Sequence, residues 1–247
     1  MTDTKHTKEV YNEYAEEYHK KILSKDNIWH KYIEKPAIIS LFKDEIKRKN
    51  VLDLGCGSGP FVKKLFSLGA KNVKGIDLSE GLIVIARREN PHVEFRVGDA
   101  KKTPYKNEEF DLIVSSLVPH YFKDLKPLFK EASRILKKNG LFVFSMHHPV
   151  MEVSEKLKVR INGVKGSLLK PYFHNDKYNW TLNRDMNMIA YHHTFEMIIN
   201  SLNYAGFVVE KVLEPVPPKK VKKIKKTIYE RARRRPSFLI IKARKVK

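Results

Sequence analysis

The sequence predicts an α/β fold: a doubly wound, mostly parallel sheet of seven strands, with an N-terminal helical lid and an insert after the fifth strand. Three observations predict it. From Val51 onward strand-like and helix-like stretches alternate. The strand-like stretches are continuous apolar runs, as a sheet covered on both faces requires. The first of them runs into a glycine turn and then a helix. A chain of 247 residues, 42% hydrophobic, can bury one such core. One domain over 1–247 is therefore expected, with an N-terminal cap at 1–48, a substrate insert or lid at 149–190 and a basic excursion at 215–236.

In chain order, residues 8–20 read as a helix with Val10, Tyr14, Glu17 and Tyr18 on one side and Tyr11 and Ala15 adjacent, an aromatic face. More aromatics follow in Asn27-Ile28-Trp29-His30-Lys31-Tyr32-Ile33 before Pro36 opens a helix over 36–48. Lys47, Arg48 and Lys49 suit the negative pole at its end. Strands are expected at 50–54, 72–77, 93–97, 110–115 and 140–147, with helices at 59–69, 79–89 and 122–137 between them. Gly69 and Asn139-Gly140 stand where helices need left-handed caps. Residues 149–190 break the rhythm with Gly163, Gly166, Pro171 and the aromatics Tyr172, Phe173, Tyr178 and Trp180. They read either as a lid or as a small hairpin with its own aromatic core. A helix at 192–205 ends at Gly206, a strand covers 207–214, and Phe238-Leu239-Ile240-Ile241-Lys242-Ala243 is the last strand.

Composition narrows the function. The net charge of +21 fits either an anionic partner or a lysine-rich proteome; the complete absence of glutamine fits the second, fourteen asparagines count against it, and both readings stand. Much of the excess lies in 219–235, which carries ten Lys or Arg and one acid. There Val221, Ile224 and Ile228 recur at helical spacing. The single cysteine, Cys56, excludes an internal disulfide and a cysteine zinc cluster, and in a glycine turn it reads as a small packed residue rather than a nucleophile. The polar N-terminus and the lack of a long apolar run lead us to expect a cytoplasmic protein with no membrane span.

The chain is organised around Val51-Leu52-Asp53-Leu54-Gly55-Cys56-Gly57-Ser58-Gly59-Pro60. Glycines at alternate positions let the backbone turn through conformations closed to other residues and approach a ligand closely. Ser58 is placed to cap the next helix and Pro60 to sit in its first turn. The dinucleotide fingerprint would need its third glycine at Pro60, which counts against NAD or FAD. Asp77 ends the second strand twenty residues after Gly57, where an acid accepts both hydroxyls of a ribose; helix capping falls better to Ser79.

With Asp53 two residues before the first glycine, the loop resembles motif I of the class I S-adenosylmethionine-dependent methyltransferases. The resemblance continues through Gly98-Asp99-Ala100, through Asp111-Leu112-Ile113-Val114-Ser115-Ser116-Leu117 as motif IV, and through Glu131–Gly140. It covers about residues 45–148. Departures are Lys138-Asn139-Gly140 for Pro-Gly-Gly and Val118-Pro119-His120 for Leu-His-His. The resemblance implies S-adenosylmethionine as cofactor and S-adenosylhomocysteine as product. It implies cofactor contacts at Asp53, Gly55, Cys56, Gly57, Gly59, Asp77, Leu78, Asp99, Ala100 and Ser115, with Asp99 at the adenine amino group and Leu78 packed on the ring.

For the acceptor, Tyr11, Tyr18, Trp29, Tyr121, His148, Tyr172 and Trp180 are candidate contacts. His120, His147 and His192, at strand ends or a helix start, are candidate bases, or else satisfied polar residues. No metal is expected, because no H-x-x-x-H or H-E-x-x-H occurs. Segments like Met146-His147-His148-Pro149 and Tyr191-His192-His193-Thr194 resemble a bacterial and archaeal branch of small methyltransferases. A small-molecule acceptor is the leading expectation, because the insert and the lid would enclose it. An RNA methyltransferase using 219–235 is the alternative, weakened for base amino groups by the lack of N-P-P-Y after the fourth strand. A non-catalytic scaffold that binds the cofactor or RNA is the third reading, and intact acids at 53, 77 and 99 oppose it.

Overall fold

The computed structural model describes residues 3–173, 176–182 and 186–246. Seven strands form the central sheet: β1 (Asn50–Leu54), β2 (Asn72–Asp77), β3 (Glu94–Val97), β4 (Phe110–Ser116), β5 (Leu136–His147), β10 (Phe207–Leu213) and β11 (Phe238–Lys245). Their order is β10-β11-β5-β4-β1-β2-β3. Only β11 runs antiparallel to its neighbours; the β1–β2, β1–β4, β2–β3 and β4–β5 pairs are parallel. The chain leaves the β3 edge and returns to β4 beside β1, so strand order reverses between β1 and β4, where open α/β sheets bind ligands.

Alternate residues of each strand supply two cores. Leu52, Leu54, Ile113, Phe142 and Phe144 pack on one face beneath α6 (Lys126–Ile135) and α8 (Phe195–Tyr204). Val51, Val73, Leu112, Val114 and Val143 pack on the other, against α3 (Lys35–Ser40), α4 (Val62–Ser67) and α5 (Glu80–Glu89).

Several boundaries differ from those expected. The N-terminal helix is two, α1 (Asp3–Glu13) and α2 (Ala15–Leu23), broken at Tyr14. A π-helical turn at Trp29–Glu34 precedes α3, which stops at Ser40, so the expected helix to 48 ends early. Helix α4 starts at Val62, so its N-cap is Phe61, which has no capping side chain, and Ser58 instead hydrogen-bonds His19 Nδ1 at 2.9 Å. Asn139, not Gly140, takes the left-handed backbone, φ 61°.

Helix α8 begins at Phe195 because Thr194 caps it, accepting from Met197 N–H. His192 and His193 therefore precede the helix rather than start it. The stretch 149–190 is not a loop: a short turn of helix, α7 (Pro149–Glu152), leads into two hairpins, β6 (Ser154–Ile161) with β7 (Val164–Leu169), and β8 (Lys177–Thr181) with β9 (Asn187–Tyr191).

The basic excursion folds as α9 (Lys219–Ile224) and α10 (Lys226–Arg234), separated at Lys225. Val221, Tyr229 and Ala232 are buried against Ile28, Ile33 and Phe238, while Ile224 is half exposed and outside that face. Among the described residues no helix is long and apolar enough to cross a membrane.

Candidate functional site

The loop after β1 is shaped by main-chain bonds. Gly55, Gly57 and Gly59 have φ of 78°, 55° and 73°, the left-handed region that favours glycine. Gly55 N and Cys56 N both donate to Ile76 O, at 2.8 and 3.0 Å. Gly57 N donates to Asp77 Oδ2 at 2.8 Å and Ser79 N to Oδ1 at 2.9 Å, so the loop and the start of α5 are both anchored on one carboxylate. A β-carbon on Gly55 would lie 2.3 Å from Val118 Cγ2, so the loops after β1 and β4 meet with no room to spare.

The carboxyl ends of these strands open onto a cleft, the place where small-molecule sites form in open α/β sheets. Gly55, Gly57, Asp77, Leu78, Asp99 and Ala100 line it, as the sequence implied. Four expected cofactor residues do not. Gly59 is covered by Asn90 and Phe95, and Cys56 lies beneath the loop, its thiol pushed up by burial. Ser115 turns away and donates to Leu54 O at 2.7 Å.

The fourth, Asp53, lies under the glycine turn with Oδ2 buried and unpartnered; burial raises its carboxyl to about 6, against the pull of Lys35. Burial also raises Asp77, against its backbone hydrogen bonds.

Helices α1 and α2 roof the cleft. Asn12 Oδ1 accepts from Ser79 Oγ at 2.7 Å and Gly81 N at 3.2 Å, clamping α1 to the start of α5. The Tyr18 ring rests on Gly57, and Tyr11 shares a 2.7 Å hydrogen bond with Tyr121. His30 and Ser116 add to the lining.

Behind Ser116, fully buried Glu34 accepts from Ser116 Oγ at 2.9 Å and Ser145 Oγ at 2.6 Å, while Oε2 makes no hydrogen bond and lies 3.5 Å from His30 Nδ1. Glu34, flanked by Ile33 and Lys35, carried no local signal, and sequence reasoning passed over it. Trp29, one residue before His30, points elsewhere, onto Phe238 under the basic helices at 6.2 Å.

The opposite wall is His147, Trp180, Tyr121, Phe122 and Leu182. Tyr178 and Trp180 alternate on β8 with exposed neighbours, so both face inward. His147 stacks on His120 with ring centroids 4.0 Å apart and meets Trp180 edge-on at 5.1 Å. Burial drives His147 down to about 3 and His120 well below its usual value, so both are neutral imidazoles. His120 stands behind His147 and does not line the cleft.

His192 lies away from the cleft, bonded through Nδ1 to Glu152 Oε2 at 2.9 Å and through Nε2–H to Tyr172 O at 2.8 Å. Tyr172 accepts from Phe195 N, and His148 caps α7 and contacts Glu214 Oε1 at 2.6 Å; neither reaches the cleft. No cluster of three or more His, Cys, Asp or Glu fit to hold a metal occurs among the described residues.

Residues 52–144 match a family described as a methyltransferase domain. An uncharacterised protein of Haemophilus influenzae is 30% identical over 231 residues, covering 87% of each chain. A crystal structure of an S-adenosylmethionine-dependent methyltransferase from Mesorhizobium loti superposes with a TM-score of 0.74 at 28% identity, over 86% of this chain and 97% of its own. The demethylmenaquinone methyltransferase of Chlorobaculum parvum is 30% identical over 115 residues, 47% of each chain.

Proposed function

We propose that this chain, which belongs to the class I S-adenosylmethionine-dependent methyltransferases, methylates a small molecule held against His147, Trp180 and Tyr121. The site fits the cofactor. Gly55 and Gly57 present bare main chain to the cleft, and the buried Asp53 Oδ2, without a hydrogen bond, suits a cationic methionine end. Asp77 has lone pairs left for ribose hydroxyls, and Leu78, Asp99 and Ala100 form the adenine edge. When bound, S-adenosylmethionine supplies a methyl group made electrophilic by the sulfonium.

The chain's own residues exclude water and hold the acceptor in line, which can lower the barrier by several kcal/mol. Neutral His147 offers a ring nitrogen to an acceptor proton.

The observation that carries the small-molecule reading is the roof. Tyr11, Tyr18 and Tyr121 close over the cofactor loops, and the lining side chains are mainly apolar. The relative from Chlorobaculum parvum, matched over 47% of each chain and named a demethylmenaquinone methyltransferase, supports an acceptor other than nucleic acid. The basic helices favour RNA by charge alone, and none of 219–235 lines the cleft.

The test is S-adenosylhomocysteine release with small hydroxyl, thiol and amine acceptors, beside RNA at several salt concentrations. Turnover only on RNA, with a steep salt dependence of about 0.7–0.9 in log–log slope per phosphate contact, would overturn the reading.

A further inference from the structure

A second pocket is lined by Glu152, Lys170, Asp176, Lys177, Tyr178 and His192. It is joined to the cleft by an unbroken chain of hydrogen bonds. His147 Nδ1 is 2.8 Å from the Tyr178 hydroxyl, which donates to Glu152 Oε1 at 3.3 Å, and Glu152 Oε2 is 2.9 Å from His192 Nδ1. The four residues come from the end of β5, from α7, from β8 and from the turn before α8, so the fold alone brings them together. Glu152 and His192 are both buried, and His193 N–H also points at Glu152 Oε2, at 3.3 Å.

The proton positions follow from the acceptors. Tyr172 O can only accept, so His192 Nε2 bears a hydrogen. Tyr178 spends its one proton on Glu152, so His147 must donate Nδ1–H to Tyr178 and leave the Nε2 lone pair free.

We propose that the acceptor methylated here is one that must lose a proton, a hydroxyl or a carbon acid, and that the buried Glu152–His192 pair takes up that proton from His147 through Tyr178. The inference rests on the methyltransferase reading of the cleft. Transfer forms a bond from the acceptor atom to the methyl carbon and breaks the carbon–sulfur bond, with its electron pair left on sulfur, so one acceptor proton is released. That proton binds His147 Nε2, Nδ1–H passes to the Tyr178 oxygen, and the Tyr178 proton passes to Glu152 Oε1. The pair, sharing one proton at rest, then holds two. The reverse hand-off restores His147 once product has left.

The relay answers a physical difficulty: an imidazole that burial holds down to about 3 cannot keep a proton by itself. Burial also raises Glu152, and although burial opposes it, contact with Glu152 raises His192. The groups facing His147 are His120, His30, Tyr178 and Trp180. Those facing the pair are Tyr178, His193, Asp176, Lys170 and Lys177. Tyr178, Glu152 and His192 act through His147 and are positioning residues.

The experiment uses the full chain. In cofactor-free protein, nitrogen-15 histidine spectra should show His147 as the Nδ1–H tautomer. Tyr178→Phe should remove that preference, and Glu152→Gln should lower the titration point of His192. With an acceptor in hand, Tyr178→Phe and Glu152→Gln should each lower kcat about tenfold or more, with the KM for S-adenosylmethionine unchanged, and should shift the pH–rate profile. His147 found as the Nε2–H tautomer, or both variants keeping wild-type kcat and pH profile, would overturn the relay. Wild type that fails to bind S-adenosylmethionine in calorimetry would instead sink the methyltransferase reading, and the spectra would still judge the relay.

Discussion

On the proposed reading of the cleft, main chain holds the cofactor side and side chains hold the acceptor side. On the first, Gly55, Cys56, Gly57 and Ser79 donate backbone N–H groups to Ile76 O and to Asp77, all within residues 55–79. On the second, His147, Tyr178, Glu152 and His192 meet across separations of up to 40 residues, and Tyr11 reaches Tyr121 across 110. The buried charges differ too. The first carries acids, buried Asp53 and partly buried Asp77, beside the proposed place for a cation, while the second buries neutral imidazoles. A site that binds one invariant ligand can be written in backbone, whereas one that must fit a particular acceptor is written in side chains.

The largest expected effect sets the two sides against each other with pH. Burial lowers His147 to about 3, and His30 and His193 each to about 4, from 6.5, so below pH 6.5 the unfolded chain binds protons that the folded one refuses. Stability should therefore fall as pH drops from 6.5 toward 4, by up to about 1.4 kcal/mol per pH unit for each histidine. Asp53 works the other way: its folded value is raised from 3.8 to about 6, so its contribution is lost as pH rises through that window. Denaturant unfolding of the cofactor-free protein across this range should show the histidine sign dominating, with His147→Asn flattening the slope. A flat profile in wild type would mean that these imidazoles are not held neutral. Binding of the cationic cofactor should strengthen as pH rises through about 6 and lose that dependence in Asp53→Asn.

Next comes the backbone side. Gly55→Ala forces a β-carbon to within 2.3 Å of Val118 at φ 78° and should cost about 2 kcal/mol or more. Val118→Ala should recover part of that loss in a double-variant cycle. A wild-type unfolding midpoint for Gly55→Ala would show that the two loops are free to part.

Asp77→Ala should weaken S-adenosylmethionine by about 1.5–3 kcal/mol per lost bond, tenfold or more, read by calorimetry. Unchanged affinity would remove Asp77 from the ribose role.

Smaller still, Tyr11→Phe or Tyr121→Phe should cost about 0.5–1.5 kcal/mol, and the double variant little more, because both delete the same 2.7 Å bond. Additive losses would mean that the roof is not joined there. The smallest effect is expected from changing the Lys and Arg of α9 and α10 to Ser: cofactor affinity should not move, since those residues stand off the cleft.

Sequence alone determined the sheet, its helices and the cofactor loop. The strands are apolar runs wherever both faces are covered, and Gly55, Gly57, Asp77 and Asp99 line the cleft within a few residues of strand ends, where local spacing carries the information. Asn162-Gly163, with φ of 47° and 79°, forms the β6–β7 turn, the local signal that fits the hairpin reading of 149–190.

What only tertiary structure decided was which way side chains face. Trp29 and His30 are adjacent, yet one packs under the basic helices and the other faces the cleft. Ser115 and Ser116 sit side by side on β4 and point to opposite faces. The histidines read as one set separate into His147 at the cleft, His120 behind it and His192 beside the second pocket. Glu152 and Glu34 carried no local pattern. Their meaning lies in burial and in partners far along the chain, and burial exists only once the elements have packed.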